Sequence, residues 1–297
     1  MSARKARFAT IAPPALSLLR PRQWIKNLFV AAPLFFAPWA ISASSLGRVG
    51  LAILAFCLLA SMIYVLNDWV DREADRLHPE KRHRPLAAGT VRPAAAVALG
   101  LGCLVGGGAI LGWLGPDMLV IGAAYVALNT AYSFLLKRIA IVDVATIAVS
   151  FVIRVEAGAA ATGLEASPWI VIATFLLALF LALGKRRDDL VQELDGRHRK
   201  SIDGYSVPFL DVAIAVTLST LVTVYLIYTT ADRTLLHFAT EKLHYTAIPV
   251  VVGVLRYLQL TIVEQRSGAP TEVVLGDRFL QLCVIGWIAV FVLLAYG

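Results

Sequence analysis

The sequence predicts an all-α integral membrane protein, a bundle of nine transmembrane helices. Three observations predict it. Hydrophobic residues make up 59% of the 297 and charged residues only 16%, too much apolar surface for one soluble domain of this size. Seven stretches (27–47, 49–67, 93–116, 118–136, 166–184, 212–231 and 279–297) contain no Asp, Glu, Lys or Arg, and each reaches the roughly 20 residues a helix needs to cross about 30 Å of hydrocarbon. Two more, 139–164 and 243–263, are interrupted only by Asp143, Arg154 and Glu156 in the first and Arg256 in the second. The runs are continuously apolar and rich in Leu and Ala, without the alternation of a barrel strand, so a closed β-barrel is disfavoured.

Taken in order, the first apolar run is broken by Pro13, Pro14, Arg20 and Pro21, so it does not read as a cleavable signal, and span 1 itself inserts. Span 2 runs into the polar stretch 67–92. Span 3 contains GLGCLVGGG (100–108) and span 5 AGAAATG (157–163), whose small-residue spacings let helices approach closely. A short turn at Gly115, Pro116 and Asp117 joins spans 3 and 4, and span 6 leads into the second polar excursion, 185–206. Cys57, Cys103 and Cys283 lie inside spans, far apart, and read as small buried hydrophobes. Trp39, Trp113, Trp169 and Trp287 read as interface or lipid-facing anchors. Residues 1–297 are expected to form one polytopic domain, with homo-oligomerisation left open.

Orientation follows from Lys and Arg, which cytosolic loops carry in excess. The amino terminus has six (Arg4, Lys5, Arg7, Arg20, Arg22, Lys26), the loops after spans 2 and 6 have six each, and those after spans 4 and 8 two each. The opposite loops hold Arg48, Arg233 and Lys242. The amino terminus is therefore expected in the cytosol and the carboxyl terminus outside, in the cell (inner) membrane. The net charge of +7 reads as topology and phosphate handling, with no nucleic-acid groove.

The chemistry is expected where span 2 meets the cytosol, at NDWVDREAD (67–75). At ~100° per residue, Asn67, Asp68, Asp71 and Asp75 project at ~0°, 100°, 40° and 80°, on one helical face. Carboxylates stacked one turn apart repel and need a cation. Hard oxygen donors without His or Cys point to Mg²⁺, held together with substrate phosphate oxygens. Arg72 and Arg76 follow the acids and point away. HPEKRHRPLAAG (78–89) comes next, with Pro79 expected to end the helix and Lys81, Arg82 and Arg84 to fold back as an anion clamp. A solvated acidic loop neutralised by these cations is the plainer alternative. Arg154, well inside span 5, needs compensation, and Glu156 and Asp143 are its expected partners.

Asn67-Asp68-x-x-Asp71-x-x-x-Asp75 after an apolar span, in a chain of nine spans, resembles the UbiA-type intramembrane prenyltransferase superfamily, whose members bind Mg²⁺ and a diphosphate on the cytosolic side of a helical bundle. Ring-prenylating members have a second Asp-rich loop after span 6. Here GKRRDDLVQEL (184–194) is basic before it is acidic, which speaks against a second Mg²⁺ site like theirs and for anion binding by Lys185, Arg186 and Arg187, with Asp189 the remaining carboxylate. That stretch and RPRQWIKN (20–27) look like the decaprenyl-phosphate phosphoribosyltransferase branch. So do AYSFLLK (131–137), FVIRVEAGAAATG (151–163), RKSIDGYS (199–206), LRY (255–257) and GAPTEVVLGDRFLQL (268–282).

The resemblance implies a UbiA-like bundle with a cytosol-facing site. It also implies Mg-dependent transfer of 5-phosphoribose from phosphoribosyl diphosphate to a polyprenyl (decaprenyl) phosphate, on the way to cell-wall arabinan. Asp68, Asp71 and Asp75 are the expected catalytic carboxylates. Asn67, Asp71 and Asp75 are the metal ligands, with Asp68 a further ligand or an orienting neighbour. Lys81, Arg82, Arg84, Lys185 and Arg186 are assigned to donor phosphates, and Lys26 and Lys137 to the lipid phosphate or the donor's 5-phosphate. Arg154 and Tyr132 complete the expected substrate-binding set. Interfacial placement is the plainer reading of Tyr132 and Tyr205, and solvation that of His78 and His83. Two rivals stand beside this reading: an aromatic-ring prenyltransferase using a prenyl diphosphate, and a transporter with Asp143, Arg154 and Glu156 along its path.

Overall fold

In the computed structural model, residues 14–77, 81–194, 204–231, 240–265 and 270–296 are described, with Thr234 and Phe238. Among them the chain is helical throughout, without strands. The long helices are α1 (Ala43–Val70), α2 (Pro93–Leu114), α3 (Pro116–Phe134), α4 (Val142–Thr162), α5 (Pro168–Leu194), α6 (Val207–Thr230), α7 (Ala247–Leu258) and α8 (Arg278–Tyr296). A 3₁₀ turn, Leu243–Thr246, precedes α7 and a π-helical turn, Gln259–Val263, extends it. Among the described residues seven helices are long and apolar enough to cross a membrane, and this is a multi-pass membrane protein. The 19-residue α3, which carries Asp117 and Asn129, is not among the seven.

The helix ends follow from local chemistry. Ser42 caps α1 in a reciprocal box with Ser45. Pro93 and Pro116 stand in the first turns of α2 and α3, where a missing N–H costs nothing, and Gly115 (φ 136°) makes the turn between them. Gly163 ends α4 in the left-handed region (φ 70°).

Two predicted boundaries change. The expected span 27–47 is not one helix. Residues Pro21–Ala31 form a 3₁₀ segment that continues through Ala32–Phe35 to a turn at Pro38–Ala40, because Pro33 and Pro38 interrupt it, and residues 43–47 belong to α1. A 3₁₀ run this long is uncommon, and packing holds it. Trp24 donates to the Leu19 carbonyl and to Ser61 on α1, and a Cβ at Gly158 on α4 would sit 1.8 Å from the Val30 oxygen. The second change is at α5, which continues ten residues past the expected end, so KRRDDLVQEL lies on a helix and not in a loop.

The two largest packed groups of the interior share α4. Phe56, Leu59, Leu111, Met118, Tyr125 and Ala157 join α1 to α4, and Phe180, Leu210, Ile214, Tyr257 and Leu260 join α5 to α7, with Val144 of α4 among them. Gly107 faces the Ala55 carbonyl and Leu59 of α1, which is the packing role expected of the glycine run. Arg48, expected among the outer charges, donates to the Leu114 and Ala161 carbonyls, where the negative dipole ends of α2 and α4 meet. Trp39 and Trp113 are exposed as expected. Trp287 instead donates to the Tyr225 hydroxyl and stacks on Phe291.

Candidate functional site

The end of the bundle that collects the α1 C-terminus, the α3–α4 link, the end of α5 and the start of α6 encloses a chamber of about 510 Å³. Its lining includes Asn67, Asp71, Lys81, Arg84, Tyr132, Lys137, Lys185, Arg186 and Asp189, all named from the sequence, together with Arg20, Ser133 and Tyr205. Six cationic side chains and two carboxylates line it, and buried Asp68, Asp75 and Asp143 behind them pair with four of the cations. The surface turned to the chamber is cationic, which suits an anionic ligand.

The acidic segment is almost continuous helix. α1 ends at Val70, Asp71 caps it and Arg72–Leu77 follows, but Asp71 and Asp75 each donate their amide to the carbonyl four residues back. The common face therefore survives, and its carboxylates divide. Asp68 and Asp75 are buried, at 3% and 2% exposure. Arg84 Nη1 lies 3.1 Å from Asp68 and 2.7 Å from Asp75, Arg20 Nη2 lies 2.5 Å from Asp68, and Lys81 Nζ lies 3.8 Å from Asp75. Asp71 opens on the chamber, with Lys137 Nζ at 3.3 Å. Arg72 and Arg76 pair with exposed Glu73 and hold its carboxyl below the ordinary glutamate range, the hydrogen bond from Arg72 counting most. Arg82 also faces outward, toward His83. The helix end expected at Pro79, and His78, lie outside the described residues, as do Arg233 and residues 199–203 and 268–269 of the quoted segments.

On α5, helical spacing sorts the KRRDD run. Lys185, Asp189 and Arg186 fall within ~100° of one another and face the chamber, while Arg187 and Asp188 point elsewhere. Arg187 is buried against Asp211 of α6, so it does not bind anions in the chamber as expected. Arg186 Nε donates to Asp143 at 2.7 Å, with Tyr132 at 3.3 Å and Asp189 at 3.6 Å from its other nitrogens. The Tyr205 hydroxyl donates to the other Asp143 oxygen at 2.6 Å. Burial and that hydrogen bond push its phenol above the ordinary tyrosine range, so it stays a donor.

Arg154 does not pair with Glu156 or Asp143. Glu156 is exposed, and Asp143 belongs to Arg186. Only 4% exposed, Arg154 is held by neutral groups: Asn27 Oδ1 at 2.8 Å, Ser150, and the Tyr125 hydroxyl at 2.9 Å. The charges that bear on neighbouring Lys26 are those of Lys185, Arg154 and Arg20. Among the described residues, no carboxylate pairs with Lys26, Arg154 or Lys185. Asp143, Arg154 and Glu156 thus do not share a path, which removes the basis of the transporter reading.

All oxygen donors here are hard, and among the described residues no three carboxylate, His or Cys groups converge on one point. The set fits Mg²⁺ held by one or two carboxylates and completed by ligand phosphates, and not an all-protein cage. Sequence reasoning counted Arg20 as a topological charge and treated Asp143 as a partner for Arg154 or a lining residue of a transport path, not as a partner of Arg186. The Arg of RPRQWIKN, inside a quoted motif, was the available signal for the first. The second had none.

A helical membrane bundle with a cation-lined chamber beside an Asp-rich helix end defines a membrane-embedded enzyme acting on phosphorylated substrates. The model of the UbiA prenyltransferase family matches residues 27–282, and the chain belongs to that family and is a transferase. It is 35% identical to the decaprenyl-phosphate phosphoribosyltransferase of Mycolicibacterium smegmatis, over 92% of this chain and 89% of that one. It is 32% identical to the Mycobacterium tuberculosis protein of the same name, over 95% and 94%. Among solved structures, a UbiA homolog from Archaeoglobus fulgidus bound to GPP and Mg²⁺ superposes with a TM-score of 0.68 at 20% identity, covering 95% of this chain and 98% of that one.

Proposed function

We propose that the protein transfers 5-phosphoribose from phosphoribosyl diphosphate to a polyprenyl phosphate, decaprenyl phosphate in the names of its relatives, releasing diphosphate and supplying cell-wall arabinan synthesis. The observation that carries this reading is the chamber lining, six cations against two carboxylates, in a chain similar to those relatives over nearly its whole length. Residues 1–297 act as one domain in the inner membrane, with the chamber and amino terminus cytosolic and the carboxyl terminus external.

Asn67 and Asp71, which line the chamber, would hold Mg²⁺ together with the donor's diphosphate, whereas Asp75, expected as a third ligand, is buried against Arg84 and Lys81. Mg²⁺ bound there would supply neutralisation of the leaving diphosphate's charge. Arg20, Lys81, Arg84 and Lys137 surround that diphosphate, with Asp68 and Asp75 holding the two arginines in place. Lys185 and Arg186 bind the 5-phosphate. Lys26 and Arg154, which pair with no carboxylate among the described residues, orient the acceptor phosphate. An acceptor oxygen attacks the anomeric carbon as its bond to diphosphate breaks through an oxocarbenium-like state. The acceptor is already an anion, so no side chain need remove a proton.

The test uses purified protein in detergent with ribose-labelled phosphoribosyl diphosphate, polyprenyl phosphate and Mg²⁺. The label moves into the lipid extract with Mg²⁺ and stays aqueous with a chelator. Label that never enters the lipid extract contradicts the reading.

A further inference from the structure

Asp143 is fully buried at the start of α4 and belongs to neither the metal-facing acids nor the anion-binding cations. Its two oxygens are divided between two elements. Oδ2 accepts from Arg186 Nε of α5, and Oδ1 accepts from the hydroxyl of Tyr205, just before α6. The Tyr205 oxygen in turn accepts the Ile141 amide at 2.6 Å. Ile141 is β-branched and sits at φ 69° and ψ −45°, a strained conformation that local structure must hold. A Cβ at Gly204 would stand 2.9 Å from the Ala140 Cβ, so residues 204–205 lie directly against the link that carries Lys137.

From this geometry we infer that Asp143 and Tyr205 are positioning residues for the donor site. They lock the guanidinium of Arg186 by its Nε edge, so that its terminal nitrogens face the chamber, and they fix the α3–α4 link that delivers Lys137 to Asp71. Asp143 neutralises Arg186 on the side away from the ligand. Tyr205 ties the approach to α6 into the same unit, so three elements arrive at the chamber in one fixed arrangement. A guanidinium held by one edge loses less freedom when it binds a phosphate than an unrestrained one. The inference rests on the proposed use of phosphoribosyl diphosphate.

The test is a steady-state comparison of purified wild type, Tyr205→Phe, Asp143→Asn, Arg186→Ala and the double variant Tyr205→Phe/Arg186→Ala. Tyr205→Phe is expected to raise the donor KM about tenfold, the worth of a hydrogen bond to a charged group, with the acceptor KM unchanged and the Tm lowered by the loss of the partner to Asp143 and Ile141. Asp143→Asn raises it further. In the Arg186→Ala background, Tyr205→Phe raises the donor KM by a smaller factor than in wild type, because part of its effect passes through that guanidinium. An unchanged donor KM in Tyr205→Phe overturns the inference. So do equal shifts in both KM values, or full additivity in the double variant. A wild type that does not use phosphoribosyl diphosphate at all defeats the functional reading instead. Should Asp143→Asn not fold, the tyrosine cycle still decides.

Discussion

Arg20 and Asp68 meet at 2.5 Å across 48 residues of sequence, which fastens the amino-terminal segment to the end of α1 at the rim of the chamber. The contact gives the buried acid a supporting role. Asp68→Asn keeps the shape and removes the charge that holds both Arg20 and Arg84. The expected loss is about 1–3 kcal/mol of stability, with a higher donor KM, read by thermal unfolding and steady-state kinetics.

Asp71 has the opposite position, open on the chamber beside Asn67. Asp71→Asn is expected to lower turnover by about 100-fold or more and to raise the Mg²⁺ concentration giving half-maximal rate. Adding a chelator to wild type should stop turnover, and excess Mg²⁺ should restore it. A Mg²⁺ titration of both proteins checks this.

Arg154 is a buried cation whose partners among the described residues are neutral. Arg154→Met leaves buried Asn27, Ser150 and Tyr125 without their donor, so a loss of about 1–3 kcal/mol is expected. If Arg154 also orients the acceptor, the acceptor KM rises about tenfold or more while the donor KM does not. Melting and acceptor titration separate the two roles.

Gly158 is the seat of the 3₁₀ segment. Gly158→Ala places a carbon 1.8 Å from the Val30 oxygen, so the segment carrying Lys26 and Asn27 must shift. A loss of about 1–3 kcal/mol or more and a large loss of activity are expected. Gly102→Ala on α2, with nothing within 4 Å, is the control and should raise stability slightly. Thermal unfolding of both variants is the measurement.

Much of this was legible in the sequence because bilayer thickness and side-chain charge impose simple rules. Charge-free stretches located α2, α3, α6 and α8 to within five residues. The spacing of Asn67, Asp71 and Asp75 gave their common face. Other features depended on contacts that no local pattern encodes. An apolar run containing Pro33 and Pro38 reads as a span, yet it folds as a 3₁₀ segment because Gly158 receives it. The KRRDD run reads as a loop by charge alone, but it continues α5, and helical spacing then divides Arg186 from Arg187. Which carboxylate meets which arginine was not readable, since Arg154 and Asp143 share a helix and still find partners on different elements.

The most direct test of the central claim follows both phosphates of one donor. Phosphoribosyl diphosphate labelled with one isotope in the 5-phosphate and another in the β-phosphate is given to the purified protein with polyprenyl phosphate and Mg²⁺. The 5-phosphate label should pass into the lipid while the β-label is released as diphosphate in equal amount. Label from the β-phosphate in the lipid, or no transfer beside turnover of a prenyl diphosphate, would contradict it.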